Sequence, residues 1–150
     1  LFSFSPSANK TVNMEKVSLE NWKLKGLNTD HINYNDLEDK VIFVSFWATW
    51  CPPCIAEMPS MKALYEDYKD KITFIFITNE DWNTVSQFYD KNNYQFPTFN
   101  QLTSTPKELT SSTIPATFIL SKKNQILVEK KDAANWNSNS IRKLLDKHLK

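Results

Sequence analysis

A nearly continuous apolar run, Val41–Trp47, is followed after three further residues by Cys51 and Cys54. An apolar run of this length is typical of a strand buried on both faces in the middle of a sheet. Apolar residues then recur at helical spacing over 55–68, and two prolines fall in the first turn, where their missing N–H groups are tolerated. This region therefore predicts a buried strand that runs directly into a helix, with both cysteines at the junction.

The rest of the chain alternates strand-like and helix-like patterns. We predict, in addition, a half-buried first strand, a turn, a second buried strand, a helix capped by Asp81, a short helix opened by a capping box, a hairpin, and a final helix capped by Ser138 or Ser140. The first strand is Trp22–Leu27, the turn is Asn33–Lys40 and the second buried strand is Ile72–Thr78. The capping box is Thr105–Glu108, and the hairpin pairs Ala116–Leu120 with Ile126–Glu129. Strands that alternate with helices predict an α/β fold with a central mixed sheet, helices on both faces and an N-terminal strand extension.

Length and composition favour one soluble-type domain. The chain has 150 residues, of which 41% are hydrophobic and 23% are charged, and its net charge is +1. A charge this small predicts no strong attraction to nucleic acid or to an anionic membrane surface. We expect residues 1–16 to be a flexible leader, because Ser, Asn and Pro are frequent there without periodicity, and residues 17–150 to be the domain. The chain opens at Leu1, so a signal peptide or membrane anchor could have been lost.

Two cysteines at the start of a helix supply the groups that thiol–disulfide exchange needs. One thiolate attacks a disulfide, and a second thiol resolves the mixed disulfide that forms. The helix dipole and the free N–H groups of the first turn favour the thiolate of Cys51, whereas Cys54 lies one turn further in. We therefore expect Cys51 to be the exposed attacking thiol and Cys54 to be the shielded resolving thiol.

Spacing argues against other uses of the pair. The chain contains two cysteines, which are too few for a structural disulfide framework. A structural zinc site needs four ligands, and His31 and His148 are far apart and lack zinc-ligand spacing. A c-type haem attachment needs His directly after the second cysteine, where Ile55 stands. We expect no metal and no cofactor besides the redox-active Cys51–Cys54 disulfide.

Two motifs then identify a family resemblance. Phe46–Cys54, followed by Glu57–Pro59, resembles the TlpA/ResA-like branch of the thioredoxin superfamily, and Thr113–Phe118 resembles the cis-proline loop of that superfamily. The similarity extends over about Trp22–Leu149. The resemblance implies a thioredoxin-like fold and thiol–disulfide exchange with protein substrates. It also implies a bacterial periplasmic or cell-envelope location, often on a membrane anchor, and a reducing role that in some members serves cytochrome c maturation.

The resemblance also assigns residues. It carries over the redox pair, a cis-proline at Pro115, and a glutamate at Glu57 that handles protons for the thiols. The alternative for Glu57 is a solvated side chain favoured by the helix dipole. Ser45 stands where ordinary thioredoxins carry a buried aspartate as proton acceptor, which turns attention to Glu57. The substrate-binding residues that we expect are Trp50, Pro52, Pro53, Ile114 and Pro115.

Two tryptophans before the cysteines, one glutamate and one later tryptophan are considered by their position in the chain. We expect Trp50 to form a rim for substrate and Trp47 to be partly core. Glu80 ends a predicted strand on the active-site side, and we expect a solvated loop glutamate there. Trp136 falls in the loop before the last helix and receives no functional assignment.

Rival functions stay open at this point. A thiol peroxidase on the same fold would place Pro-x-x-x-Thr-x-x before the attacking cysteine, but Val44 and Ala48 occupy those two positions. A disulfide isomerase is a further alternative, and a binding module without chemistry is disfavoured by the retained cysteines. The partners that we expect are protein disulfides and a membrane or periplasmic electron donor, with no nucleic acid. We expect a monomer.

Overall fold

The computed structural model describes residues 15–150. Within that range six strands form one sheet, and three α-helices and two 3-10 turns accompany it. The strands are β1 (Leu24–Gly26), β2 (Ile42–Phe46), β3 (Thr73–Ile77), β4 (Thr98–Gln101), β5 (Ala116–Leu120) and β6 (Ile126–Lys130). The helices are α1 (Pro52–Tyr68), α2 (Trp82–Asn92) and α3 (Asn139–His148), and the 3-10 turns are Tyr34–Asp36 and Lys107–Leu109. None of these described helices has the length and apolar character needed to cross a membrane.

The sheet is mixed, as predicted. Its strand order is β1-β4-β3-β2-β5-β6, so β2, the strand predicted to be buried on both faces, lies inside the sheet between β3 and β5. β2 and β4 are both parallel to β3, whereas β5 is antiparallel to β2 and β6 is antiparallel to β5. β1 pairs antiparallel with β4 and forms the N-terminal strand at the opposite edge. The predicted parallel core with a closing antiparallel hairpin is confirmed.

Alternating side chains of β2 separate two hydrophobic clusters. Phe43 joins the cluster that contains the buried residues of α1, α2 and α3. Ile42 and Val44 join the other cluster, which the N-terminal segment covers with Val17, Leu19 and Trp22, and to which the 3-10 regions contribute Leu37 and Leu109. Helices therefore flank both faces as expected, but the long α-helices share one face and short 3-10 turns serve the other.

Two local predictions differ from the structure. β4 was not predicted, because its four residues include Phe99, buried, beside two partly buried polar residues, and so show no strand-like alternation. Pairing with β1 and β3 defines this strand. The predicted capping box at Thr105 is wrong. The Thr105 hydroxyl donates to Gln101 Oε1 at 3.0 Å, and the 3-10 turn begins at Lys107 without a side-chain cap.

The helix caps predicted for α2 and α3 are confirmed. Asp81 Oδ1 accepts from the Thr84 N–H at 2.8 Å, and Ser138 Oγ accepts from the Ile141 N–H at 3.3 Å. Each side chain satisfies one of the N–H groups that have no partner within the helix. These short polar residues therefore set the starts of both helices from local sequence alone.

Most of the expected leader, residues 1–14, lies outside the described residues. The two described residues of that range run beside the β5–β6 hairpin. Lys16 forms a bridge with Gln125, and the Ile126 N–H donates to the Glu15 carbonyl oxygen at 2.8 Å. Glu15 and Lys16, at the start of the described residues, therefore already contact the domain.

Gly26, the single glycine of the sequence, allows the chain to fold back closely behind β1. A Cβ atom at Gly26 would overlap the Thr29 carbonyl oxygen and lie 2.6 Å from the Asp30 carbonyl oxygen. Both are backbone atoms, so no side-chain rotation relieves the contact. We expect Gly26→Ala to lower the free energy of unfolding by about 1–3 kcal/mol, as overpacking does.

Urea unfolding of the two proteins measures this change. Lys25→Ala is the matched control, because Lys25 is an exposed neighbour in the same strand. Equal unfolding midpoints for Gly26→Ala and Lys25→Ala would show that the close backbone approach does not matter.

Candidate active site

The redox pair lies where β2 leads into α1. Cys51 is the N-cap of α1 with an extended backbone, and Cys54 lies in the first turn. The two residues are joined by a disulfide, with their Cα atoms 5.2 Å apart. The strand-to-helix junction predicted for the cysteines is therefore present, and the pair is described in its oxidised state.

The expected exposure of Cys51 is wrong for this state. Cys51 is 3% exposed and Cys54 is 1% exposed, while the neighbouring Trp50 is 71% exposed. Cys51 Sγ is bonded to Cys54 Sγ, and both cysteines belong to the core cluster that contains the buried residues of α1. The accessible apolar surface at the site belongs to Trp50 instead.

Proline limits the N–H groups that can reach Cys51. Pro52 and Pro53 have no N–H to donate, and both are exposed. The Cys54 N–H donates to Cys51 Sγ at 3.3 Å, whereas the Ile55 N–H donates to the Cys51 carbonyl oxygen at 3.1 Å. One backbone donor of the first turn therefore acts directly on the Cys51 sulfur.

Glu57 lies three residues after Cys54 on the same face of α1. Its side chain is 1% exposed, so the solvated-glutamate alternative is wrong. Glu57 Oε1 accepts from the Trp136 indole N–H at 2.8 Å and from the Ala134 N–H at 3.3 Å. Glu57 Oε2 is buried and has no hydrogen-bond partner within residues 15–150.

Burial changes the acidity of Glu57. Desolvation raises the pKa of Glu57 from its ordinary 4.5 to about 8, and the charge of Asp132 also raises it. The hydrogen bonds from Trp136 and Ala134 lower the pKa but do not offset burial. The carboxyl group is therefore mostly protonated at neutral pH, and it can both donate and accept a proton at pH values close to neutral.

Trp136 is a site residue that sequence reasoning missed. Its side chain is fully buried and packs edge-on against Phe43, with ring centroids 5.4 Å apart. The residue lies 79 positions from Glu57 in sequence, and no local pattern connects them. The available signal was a Trp in the loop between β6 and α3, because a buried indole N–H needs an acceptor.

Glu80 anchors the loop that precedes the cysteines. Its carboxylate accepts from the Thr49 N–H at 2.9 Å and from the Thr49 hydroxyl at 2.6 Å, one on each oxygen. The Thr78 hydroxyl donates to the same group at 3.0 Å. The expectation of a solvated loop glutamate is therefore wrong: Glu80 ties the end of β3 to the residue two positions before Cys51.

A groove of about 280 Å³ opens beside this loop. Trp47 and Trp50 line one part of it, and Thr113 and Ile114 line another. The Ile114–Pro115 peptide bond is cis, and Pro115 is buried. The structure therefore brings Trp50 and Ile114 together around one groove, with Pro115 behind Ile114.

Comparison with known proteins defines the family. Residues 16–128 match the AhpC/TSA family. The chain belongs to the AhpC/TSA family. This match covers β1 to β5 and the first three residues of β6, and it includes both cysteines, Glu57 and the cis-proline loop. Trp136 lies beyond its end.

The AhpC/TSA family chain is also similar to curated thiol-disulfide oxidoreductases named ResA. ResA of Halalkalibacterium halodurans is 40% identical over 79 residues, which cover 51% of this chain and 45% of the relative. ResA of Oceanobacillus iheyensis is 36% identical over 98 residues, which cover 63% of this chain and 51% of the relative. The chain spans about half the length of these curated relatives. The resemblance to the TlpA/ResA-like branch is confirmed.

A solved structure establishes the fold. A thiol:disulfide interchange protein of the thioredoxin family from Chlorobium tepidum superposes with a TM-score of 0.69 at 18% identity, covering 93% of this chain and 100% of that one. The fold of the AhpC/TSA family chain is therefore thioredoxin-like, as predicted. Across residues 15–150 no cluster of three or more His, Cys, Asp or Glu side chains could hold a metal ion.

The raised pKa of Glu57 predicts how stability depends on pH. The unfolded chain releases the Glu57 proton near pH 4.5, whereas the folded chain keeps it until about pH 8. The folded state therefore binds more protons in between, so the contribution of Glu57 to stability is present below pH 4.5 and is lost as the pH rises to 8. From pH 5 to pH 8 we expect a loss on the order of 3 kcal/mol.

Urea titrations of the oxidised protein at several pH values measure this loss. Glu57→Gln should remove it, because the amide does not ionise. Glu66→Gln is the matched control, since Glu66 is exposed on the same helix, and it should keep the loss. A wild-type unfolding free energy that does not change between pH 5 and pH 8 would contradict the burial of an ionisable carboxyl at Glu57.

Proposed function

We propose that this AhpC/TSA family chain is a thiol–disulfide oxidoreductase that reduces protein disulfides through Cys51 and Cys54. The observation that carries the proposal is the Cys51–Cys54 disulfide at the N-terminus of α1. A pair that closes its own disulfide at a helix start can attack with one sulfur and resolve with the other. The similarity to ResA oxidoreductases supports the same reaction.

The reduction proceeds in two exchange steps. The Cys51 thiolate attacks one sulfur of the substrate disulfide, forms a mixed disulfide and releases the other substrate sulfur as a thiolate. The Cys54 thiolate then attacks Cys51 Sγ, forms the intramolecular disulfide and releases the second substrate sulfur. The substrate gains two electrons and the dithiol loses two, so an electron donor must reduce the pair again.

Glu57 is proposed as the proton carrier for the second step. Its carboxylate takes the proton of the Cys54 thiol before attack and returns a proton when the pair is reduced again. The support is position, since Glu57 is buried one helical turn from Cys54, together with a pKa of about 8 that makes both protonation states accessible. Ser45, which is buried and faces Thr117, is neutral and offers no such group.

The substrate is proposed to lie in the groove beside Trp50 and Ile114. Trp50 offers exposed aromatic surface, and the backbone of Ile114 can pair with an extended substrate strand. Trp47, whose buried indole N–H has no partner among the described residues, forms part of the groove wall. Pro52 and Pro53, which are exposed, complete the proposed contact surface, and Pro115 is proposed to contribute only as the buried neighbour of Ile114.

The setting of the reaction is proposed from the resemblance to ResA. We place the protein in the bacterial periplasm or cell envelope, with a membrane or periplasmic electron donor and a possible membrane anchor outside this chain. Protein disulfides formed during cytochrome c maturation are the candidate substrates, and the working unit is a monomer.

A thiol peroxidase is the second candidate, because the family match is to AhpC/TSA. Val44 and Ala48 occupy positions where a peroxiredoxin motif has Pro and Thr, and Val44 is buried in the second core cluster. Insulin reduction with dithiothreitol measures the first activity, and peroxide consumption measures the second. Turnover of peroxide without turnover of insulin would replace the oxidoreductase proposal.

Division of labour between the cysteines can be tested by trapping. Cys54→Ser leaves Cys51 to attack but removes the resolving thiol, so mixed disulfides with substrate should accumulate. Cys51→Ser is the matched control and should trap little, because its remaining cysteine, Cys54, lies inside the first turn of α1, whereas Cys51 is the N-cap. Non-reducing gels of both variants after incubation with oxidised insulin report the adducts, and equal adduct formation would contradict the assignment.

We propose a reducing direction of electron flow from the composition of the first turn of α1. Pro52 and Pro53 remove two N–H donors, which leaves the Cys51 thiolate less stabilised and the couple more reducing. We expect a potential nearer roughly −270 mV than −120 mV. Equilibration against glutathione measures it, and a potential above about −180 mV would assign an oxidase or isomerase instead.

A further inference from the structure

The carboxyl group of Glu57 is bound on one side. Oε1 accepts two hydrogen bonds, from the Trp136 indole at 2.8 Å and from the Ala134 backbone at 3.3 Å. Oε2 is buried without a partner in the described part of the chain. An oxygen that already accepts from two fixed donors has no room for a proton of its own on that side. The proton of the neutral acid therefore belongs on Oε2.

The donors are held in place by a second set of contacts. The Trp136 backbone N–H donates to Ser60 Oγ at 3.0 Å, and Ser60 Oγ donates to the Glu57 carbonyl oxygen at 2.8 Å. Ser60 thus connects the loop that carries Trp136 to the turn of α1 that carries Glu57. The indole ring is fully buried and packs against Phe43, and this packing fixes the orientation of its N–H.

We propose that Trp136 is a positioning residue for the exchange reaction, which with Ala134 holds Glu57 Oε1 as an acceptor and leaves Oε2 to exchange the proton with Cys54. This inference rests on the proposed proton-carrying role of Glu57. Trp136 acts through the orientation and the acidity of Glu57.

The charges around Glu57 set the sign of the expected effect. Asp132, from the loop before Trp136, raises the pKa of Glu57. Cys54, which carries a titratable thiol only when the pair is reduced, lies one turn before Glu57 on α1. The indole N–H lowers that pKa, because a donor to Oε1 favours the ionised carboxylate. Removing the indole N–H should therefore raise the pKa of Glu57 further.

The wild-type protein offers a test that needs no core substitution. In the oxidised state the two cysteines are bonded and do not titrate, so Glu57 can be followed alone by the NMR shift of its carboxyl carbon. The Trp136 indole proton should shift with the same midpoint. Trp22 is the internal control, because its indole is equally buried but donates to the neutral amide of Gln101 at 2.8 Å. A Trp136 indole shift that does not follow Glu57 overturns the proposal.

Substitution extends the test to the reaction. Trp136→Phe keeps an aromatic ring and removes the N–H, and we expect the pKa of Glu57 to rise by roughly one unit, the size of one hydrogen bond to a charged group. The pH profile of mixed-disulfide resolution should move upward with it. Trp22→Phe is the matched control and should move neither, although both substitutions can lower stability.

Glu57→Gln separates the proton-carrying role of Glu57 from the positioning role of Trp136. The positioning role is supported by three results together. Glu57→Gln alters the pH profile of resolution, and Trp136→Phe shifts the profile of the otherwise wild-type protein. Adding Trp136→Phe to Glu57→Gln then changes the pH dependence no further. If Glu57→Gln alters the profile and Trp136→Phe does not, Trp136 is a structural residue and the inference is overturned. If Glu57→Gln leaves the profile unchanged, the proton-carrying role fails, and the positioning role fails with it.

Discussion

The burial of β2 on both faces is the constraint from which the active site follows. Phe43 packs toward the α-helices, while Ile42 and Val44 pack toward the N-terminal segment, and the strand pairs with β3 and β5 at its two edges. Removing this much apolar surface from water is the main favourable term in folding. The end of such a strand is held rigidly, and the helix that follows begins at Cys51.

A second constraint is the cost of placing a carboxyl group beneath that helix start. A buried carboxylate is unfavourable unless it is paired, so Glu57 retains its proton and accepts hydrogen bonds from the C-terminal loop. The result connects α1 to Trp136 across the core. Glu80 acts from the loop after β3, where its two carboxyl oxygens accept hydrogen bonds from Thr49 ahead of the cysteines. The two glutamates thus support the redox pair by different means, one as a neutral acid and the other as an anchor.

Elements with strong local patterns were predictable. Periodicity or capping chemistry within a few residues defines each of them: β2 with its two buried faces, the helix caps Asp81 and Ser138, and the β5–β6 hairpin. β4 was missed because four residues carry no usable period, and the capping box at Thr105 was mistaken because its hydroxyl found Gln101 instead. Pairing with strands that are distant in sequence decided β4, and a partner outside the capping-box motif decided the Thr105 hydroxyl.

By itself the sequence determined the order of most elements, the junction that holds Cys51 and Cys54, and the presence of a glutamate one turn further on, because these depend on spacing along one strand and one helix. The tertiary structure decided the environment of those residues. It placed Glu57 in the core rather than in solvent, brought Trp136 to it over 79 positions, and turned Glu80 onto Thr49. Acidity and orientation depend on desolvation and on donors from other elements, and neither is encoded in local spacing.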